Sequence, residues 1–183
     1  MSRSLVLTLV ASVFVVAVVA FGARKLSAQL AHGASAPDFT AQAALGGKVE
    51  TVGLKSALAK GPVVLYFFPK SFTSGCTVEA HLFSEHIADF RTLGATVIGV
   101  SGDDIETQKK FSTQECRSAF LVASDPGLKI AKSYDSALGA GFSNRTSYVI
   151  APNGTIALAY TSMDPSKHVE KTLGALRELH AAK

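Results

Sequence analysis

Apolar residues recur along this 183-residue chain in two rhythms, and each change of rhythm marks an element. Val63-Val64-Leu65-Tyr66-Phe67-Phe68 is an unbroken apolar run of strand length, the pattern of a central strand covered on both faces. Thr96 to Val100 and Phe120 to Ala123 are two further runs of this kind. Thr146 to Ile150 and Thr155 to Tyr160 flank Pro152-Asn153-Gly154 and predict a hairpin on an Asn-Gly turn. Gly46-Gly47, inside Phe39 to Val52, predicts another. Between these runs the spacing turns helical. Cys76 to Arg91 carries Val78, Leu82, Phe83, Ile87 and Phe90 at helical intervals. Ile105 to Cys116 reads as a polar helix started by Asp103-Asp104. Asp125 to Tyr134 reads as a helix. Pro165 to His180 closes the chain as another, with Val169, Leu173, Leu176 and Leu179 on one face and Pro165 near its start. This order of elements predicts an α/β domain with a mixed sheet. Functional groups in such sheets gather beyond the carboxyl ends of the central strands, which places Pro69 to Cys76 there.

Leu5 to Phe21 breaks both rhythms: it is apolar on every face and carries no charge, with Arg3 before it and Arg24-Lys25 after it. It is short for a bilayer span and slightly long for a signal-peptide core. The expected organisation is a signal anchor or signal peptide over 1–25, a linker over 26–36, and one domain over 37–183. Ala20-Phe21-Gly22 and Ala34-Ser35-Ala36 are weak cleavage sites, so the anchor is favoured. That implies a membrane contact through the N-terminal helix and an extracytoplasmic domain, periplasmic in a Gram-negative cell. With Arg3, Arg24 and Lys25 set aside, 15 Lys and Arg face 14 Asp and Glu. The domain is nearly neutral, and no basic patch suggests nucleic acid. Two cysteines are too few for a disulfide scaffold, and no Cys/His spacing resembles a zinc site. The five histidines are scattered and read as ordinary surface or core residues.

The chemistry concentrates at Cys76. It falls at the N-terminus of a helix, at the end of a buried strand, where the helix end favours thiolate over thiol. Thr73 is placed to hydrogen-bond the sulfur or cap the helix. Pro69 lacks an N–H and can shield one side of the pocket. The bland alternative is a buried, inert cysteine.

Pro69, Thr73 and Cys76 match the P-x-x-x-T-x-x-C signature of peroxiredoxins. The wider string Tyr66 to Ala80 resembles the branch called peroxiredoxin Q, or bacterioferritin comigratory protein. So do Ala36-Pro37-Asp38-Phe39, the block Asn144 to Ile150, and the block Ser162 to Val169. The resemblance runs from about residue 36 to the end. It implies a thioredoxin-like fold and thiol-dependent reduction of hydrogen peroxide or small organic hydroperoxides, with no metal, haem or flavin. Cys76 would be the peroxidatic cysteine and would pass through a sulfenic acid. Thr73 would hydrogen-bond thiolate and peroxide. Arg145 would favour the thiolate and stabilise charge on the peroxide oxygens, with Glu79 supporting it. In many members of the branch a resolving cysteine lies five residues after the first; here that position is His81. Others carry it in the helix after the second central strand, at a place resembling Ser112. Cys116, about one turn later, is the expected resolving residue, in a monomer recycled by a thioredoxin-like dithiol protein. A one-cysteine cycle and a permanent structural bridge are the alternatives for the pair. For the protein, the alternatives are a membrane-anchored thiol–disulfide oxidoreductase and a non-catalytic redox sensor. The first is disfavoured because Thr73 stands where a C-x-x-C motif needs its other cysteine.

Overall fold

The structure is a computed structural model that describes residues 29–182. It opens with a hairpin of β1 (Thr40–Leu45) and β2 (Lys48–Gly53). Gly46 and Gly47 between them have φ of 55° and 78°, the left-handed pair that a two-residue turn needs. A short helix α1 (Leu54–Leu58) follows, unmarked by the hydrophobic pattern. The chain continues through β3 (Val63–Phe67), α2 (Ser74–Glu85), α3 (Ile87–Thr92), β4 (Thr96–Ser101) and α4 (Ile105–Gln114). It ends with β5 (Leu121–Ser124), α5 (Lys129–Ser133), β6 (Thr146–Ile150), β7 (Ile156–Thr161), a 3-10 turn (Pro165–Lys167) and α6 (His168–Ala181).

The strands form one mixed sheet in the order β2-β1-β5-β4-β3-β6-β7. β3 runs parallel to β4 and antiparallel to β6. Every residue of β3 is buried, as its unbroken apolar run predicts. Alternation along the strand divides the core in two. Val63, Leu65 and Phe67 join Leu54, Tyr134 and Tyr148 on one face. Val64, Tyr66 and Phe68 join Phe83, Phe111, Cys76 and Cys116 on the other. Both cysteines therefore sit in the same half of the core, against the same strand.

Several elements depart from the sequence reading. The helix expected over Cys76 to Arg91 is two helices, because His86 leaves the helical region (φ −97°, ψ 10°) and its Nδ1 pairs with Asp89 Oδ2 at 2.8 Å. The helix expected over Asp125 to Tyr134 shrinks to α5. Gly127 and Leu128 take left-handed φ of 97° and 58°, and the Asp125 carboxylate accepts from the N–H groups of Ile130 and Ala131 in the first turn. Asp104 caps α4 by accepting from Thr107 N at 2.7 Å, but that helix stops at Gln114. Cys116 lies in the turn beyond it, not in the helix.

Residues 29–36, expected as linker, are docked on the last hairpin. Gly33 N donates to Ile156 O at 2.8 Å and Ala36 N to Gly154 O at 2.8 Å, while Leu30 N donates to the Tyr148 hydroxyl at 3.1 Å. The expected membrane segment, Leu5 to Phe21, lies outside the described residues. Among the described residues no helix is long and apolar enough to cross a membrane.

Candidate active site

The site begins where β3 ends. Phe68 closes the strand ladder by donating its N–H to Val100 O at 3.1 Å. Pro69 then turns the chain out of the sheet, half-buried, and Lys70 to Thr73 form a loop. Asp103, just past β4, ties this loop down: its Oδ2 accepts from Ser71 N at 2.7 Å and from the Ser101 hydroxyl at 2.8 Å. Phe72 is held at φ 64° with its ring edge-on to Phe111 at 5.3 Å. A bulky residue at positive φ costs on the order of 1–3 kcal/mol and persists only where its surroundings fix it. Here the ring contact and the Asp103 bridge supply that constraint.

α2 starts at Ser74, so Cys76 occupies its first turn, 2% exposed. Thr73 stands at the N-cap, but its hydroxyl does not cap the helix. It donates back to Lys70 O at 2.9 Å. That contact uses the one hydroxyl proton and leaves lone pairs to accept from a ligand.

Arg145 precedes β6. Because Phe67 pairs with Thr146, the start of β6 lies beside the end of β3, and Arg145 comes up to the same loop. Arg145 is 3% exposed. Nη2 lies 3.4 Å from Cys76 Sγ, Nε donates to Met163 O at 3.2 Å, and Nη1 donates to Glu79 Oε2. Three acceptors thus fix the plane of one guanidinium and set its positive charge beside the sulfur. Glu79, one helical turn after Cys76, is fully buried. Burial pushes its carboxyl up to about 8, with Arg145 opposing that rise.

Behind Glu79 lies a residue that its sequence pattern does not distinguish from an ordinary surface or core histidine. His168, the first residue of α6, is 0% exposed, and its Nδ1 lies 3.5 Å from Glu79 Oε1 and 2.8 Å from Ser147 Oγ. The only sign in the sequence was its place in the same block as Ser162 to Val169. Tyr66 likewise stands out in the hydrophobic pattern only as part of a buried strand. Its hydroxyl is buried without a hydrogen-bond partner, and burial, then the charges of Cys116, Glu79 and Cys76, raise its pKa well above the usual phenol value.

Cys116 is not part of this constellation. It is 0% exposed, and burial, then Glu115, push its thiol well above the ordinary range. Both cysteines are free thiols. The Cys116 turn is nevertheless tied to the Cys76 helix on both sides: Glu115 Oε2 meets His81 Nε2 at 2.9 Å, and Arg117 Nη1 meets Glu85 Oε1 at 3.2 Å. Among the described residues, no group of three or more His, Cys, Asp or Glu could hold a metal ion.

Gly75 shows how closely the guanidinium is fitted. A Cβ there would stand 3.0 Å from Arg145 Nη2. Since three partners hold that group, Gly75→Ala is expected to displace it and slow the reaction of Cys76 with peroxide about tenfold, with little change in thermal stability. Stopped-flow rates beside a thermal melt check this.

A first-turn cysteine under a buried arginine at the end of a central strand defines a thiol-based redox enzyme on a thioredoxin-like sheet, and comparison with known proteins gives the family. The sequence profile of the AhpC/TSA family matches residues 32–159, and the chain belongs to that family. It is 35% identical over 155 residues to the chloroplastic peroxiredoxin Q of Suaeda salsa, covering 83% of this chain and 70% of that protein. To the chloroplastic peroxiredoxin Q of Sedum lineare it is 34% identical, covering 83% and 81%. The crystal structure of peroxidoxin BcpB from Mycobacterium tuberculosis superposes with a TM-score of 0.73 at 28% identity, covering 80% of this chain and 96% of that one. The protein is therefore a thiol-dependent peroxidase, an oxidoreductase. The expectation of a membrane-anchored or exported, extracytoplasmic protein is corrected. The relatives are chloroplastic proteins by name, and among the described residues no helix is long and apolar enough to cross a membrane. The expected monomer has no support from these comparisons.

Proposed function

We propose that Cys76 is the peroxidatic thiol and that the substrates are hydrogen peroxide and small organic hydroperoxides. The observation that carries this reading is the 3.4 Å contact between Arg145 Nη2 and Cys76 Sγ inside a buried pocket. The Cys76 thiolate attacks the terminal oxygen of the hydroperoxide. An S–O bond forms, the O–O bond breaks, and the leaving alkoxide or hydroxide takes a proton to become alcohol or water. Cys76 is left as a sulfenic acid. Arg145 Nη2 stabilises the thiolate and then the charge that develops on the peroxide oxygens. Thr73 accepts the hydrogen bond of the peroxide O–H, with its own proton directed to Lys70 O. Pro69 shields the pocket, and Glu79 holds the guanidinium in plane.

Cys116 resolves the sulfenic acid. Its sulfur attacks Cys76 Sγ, an S–S bond forms, the S–O bond breaks, and water leaves. A thioredoxin-like dithiol protein then reduces the disulfide. Bridging two cysteines needs Cα atoms within about 7 Å, and the buried Cys116 thiol must first be exposed and ionised. The turn that carries it suits such opening. Arg117 and Ser118 adopt consecutive left-handed φ of 50° and 56°, a conformation disfavoured by roughly 1–2 kcal/mol per residue. Its ties to α2 at Glu115 and Arg117 keep the opened turn close to Cys76.

Intact-mass analysis before and after one equivalent of peroxide, with and without thiol blocking, tests the cycle. A loss of two hydrogens supports the Cys76–Cys116 disulfide. A gain of oxygen without it supports a one-cysteine cycle. Cys116→Ser is expected to leave the first oxidation intact and to cut steady-state turnover with a thioredoxin-type reductant at least about tenfold. Unchanged turnover removes Cys116 from the mechanism.

A further inference from the structure

His168 has no part in the chemistry above, yet it is completely enclosed, as are Glu79 and Ser147. Its Nε2 lies 3.0 Å from Ser162 O. A backbone carbonyl only accepts, so Nε2 carries a hydrogen and faces away from the site. Its Nδ1 faces inward, toward Ser147 Oγ at 2.8 Å and Glu79 Oε1 at 3.5 Å. Glu79 Oε2 is occupied by Arg145, whereas Oε1 has no hydrogen-bond partner. A buried carboxylate oxygen without a donor is costly. A proton placed between Oε1 and Nδ1 removes that cost.

Charge balance leads to the same place. In the reactive state two anions, the Cys76 thiolate and the Glu79 carboxylate, face one buried guanidinium. One more proton in the pocket makes it neutral.

We propose that His168, backed by Ser147, is a positioning residue that retains one proton on the Glu79–His168 pair, so that the charge of Arg145 serves Cys76 rather than a full carboxylate. The inference rests on the assignment of Cys76 and Arg145 made above. Burial acts on both members in the required sense, raising the Glu79 carboxyl to about 8 and lowering the His168 imidazole to about 4. Between those limits the pair keeps one proton, on the Glu79 side, and the single Nδ1 lone pair accepts from the Ser147 hydroxyl at 2.8 Å and, at longer range, from the Glu79 carboxyl at 3.5 Å. The other groups facing the pair come from four directions. Arg145 and Cys76 lie in front of Glu79, and the Tyr66 hydroxyl on β3, which stays neutral, is near enough to feel its charge. Asp164, before the 3-10 turn, raises His168 while Arg145 lowers it. The Tyr160 ring from β7 packs against the imidazole at 4.9 Å. As pH rises past about 8 the proton leaves, Glu79 becomes a full carboxylate, and it draws the guanidinium from Cys76. Titration of a thiol alone only increases the thiolate as pH rises, so a fall in rate on the alkaline side reports this second group.

The test is the second-order rate constant of Cys76 with hydrogen peroxide from pH 5.5 to 9.5, measured by competition against a haem peroxidase. The parent protein is expected to lose about fivefold above pH 8. His168→Asn places a donor near Oε1 that cannot titrate, and so keeps Glu79 ionised. Its rate is expected to be about fivefold lower at pH 7 and flat up to pH 9.5. In the parent, the infrared band of a protonated carboxyl, absent from Glu79→Gln, is expected at pH 6.5 and lost by pH 9.5. A parent profile without the alkaline fall, a His168→Asn profile with the parent's alkaline midpoint, or no such band at pH 6.5 overturns the proposal. The infrared titration is read on the parent with only the near-isosteric Glu79→Gln as a control, and it needs no peroxide turnover. It therefore separates failure of this inference from failure of the Cys76 assignment.

Discussion

Cys76→Ser abolishes peroxide consumption, with a loss on the order of 10⁴-fold or more, the scale seen when a nucleophile is removed from a preorganised site. Serine keeps the shape of the side chain, and its hydroxyl can still accept from Arg145 Nη2, which now contacts the sulfur at 3.4 Å. The fold, the guanidinium and the Thr73 loop are therefore expected to survive. What goes is the ionisable, polarisable nucleophile: a neutral hydroxyl attacks an O–O bond poorly. A thermal melt within a few degrees of the parent, beside a peroxide trace indistinguishable from buffer, is the expected pair of results. Residual turnover above about 1% of the parent, with the protein folded, removes Cys76 from its role.

Arg145→Met is expected to lower the rate of Cys76 oxidation by about 10²–10³-fold at pH 7, the effect typical of deleting one preorganised donor to a developing anion. Arg145→Lys rescues little of this. A single ammonium cannot reach Cys76 Sγ, Glu79 Oε2 and Met163 O in one plane, and those three contacts define the arginine. The stability cost of Arg145→Met is expected to stay below the roughly 3–5 kcal/mol that breaking a buried ion pair commonly brings. Burial already holds the Glu79 carboxyl up at about 8 and Arg145 opposes that rise, so Glu79 without its partner stays protonated at pH 7 rather than becoming a bare buried charge. Single-turnover kinetics and denaturant melts separate the two effects. A rate within about threefold of the parent for Arg145→Met shows that the guanidinium is structural only.

The two substitutions differ in how visible their targets are along the chain. Cys76 is legible because its context is local: a buried strand ending at Phe68, a proline, and a helix that begins at Ser74. Arg145 gains its meaning only from the recurring block around it, since nothing in the spacing joins positions 69 residues apart. Thr73 stands at the helix start that the pattern predicts, but its hydroxyl neither caps the helix nor bonds the sulfur: it turns back to Lys70 O, a direction set by the turn before it. His168 was invisible as a site residue because a histidine at the head of an amphipathic helix has the same pattern whether it faces solvent or a carboxylate. Cys116 was set one element too far inside: the pattern continues past Gln114, but the left-handed turn at Arg117 and Ser118 ends the helix earlier.

The sequence by itself determined the order of the strands and of the longer helices, the buried β3, and the place of Cys76 at the helix start beyond it, because hydrophobic period and helix-end signals act over a few residues. Only the tertiary structure decided which side chains meet there. The antiparallel register that sets Phe67 against Thr146 carries Arg145 to Cys76. The return of α6 across β6 and β7 brings His168 under Glu79. Those contacts follow from how one sheet is ordered and covered, a property of the whole chain that no local window contains.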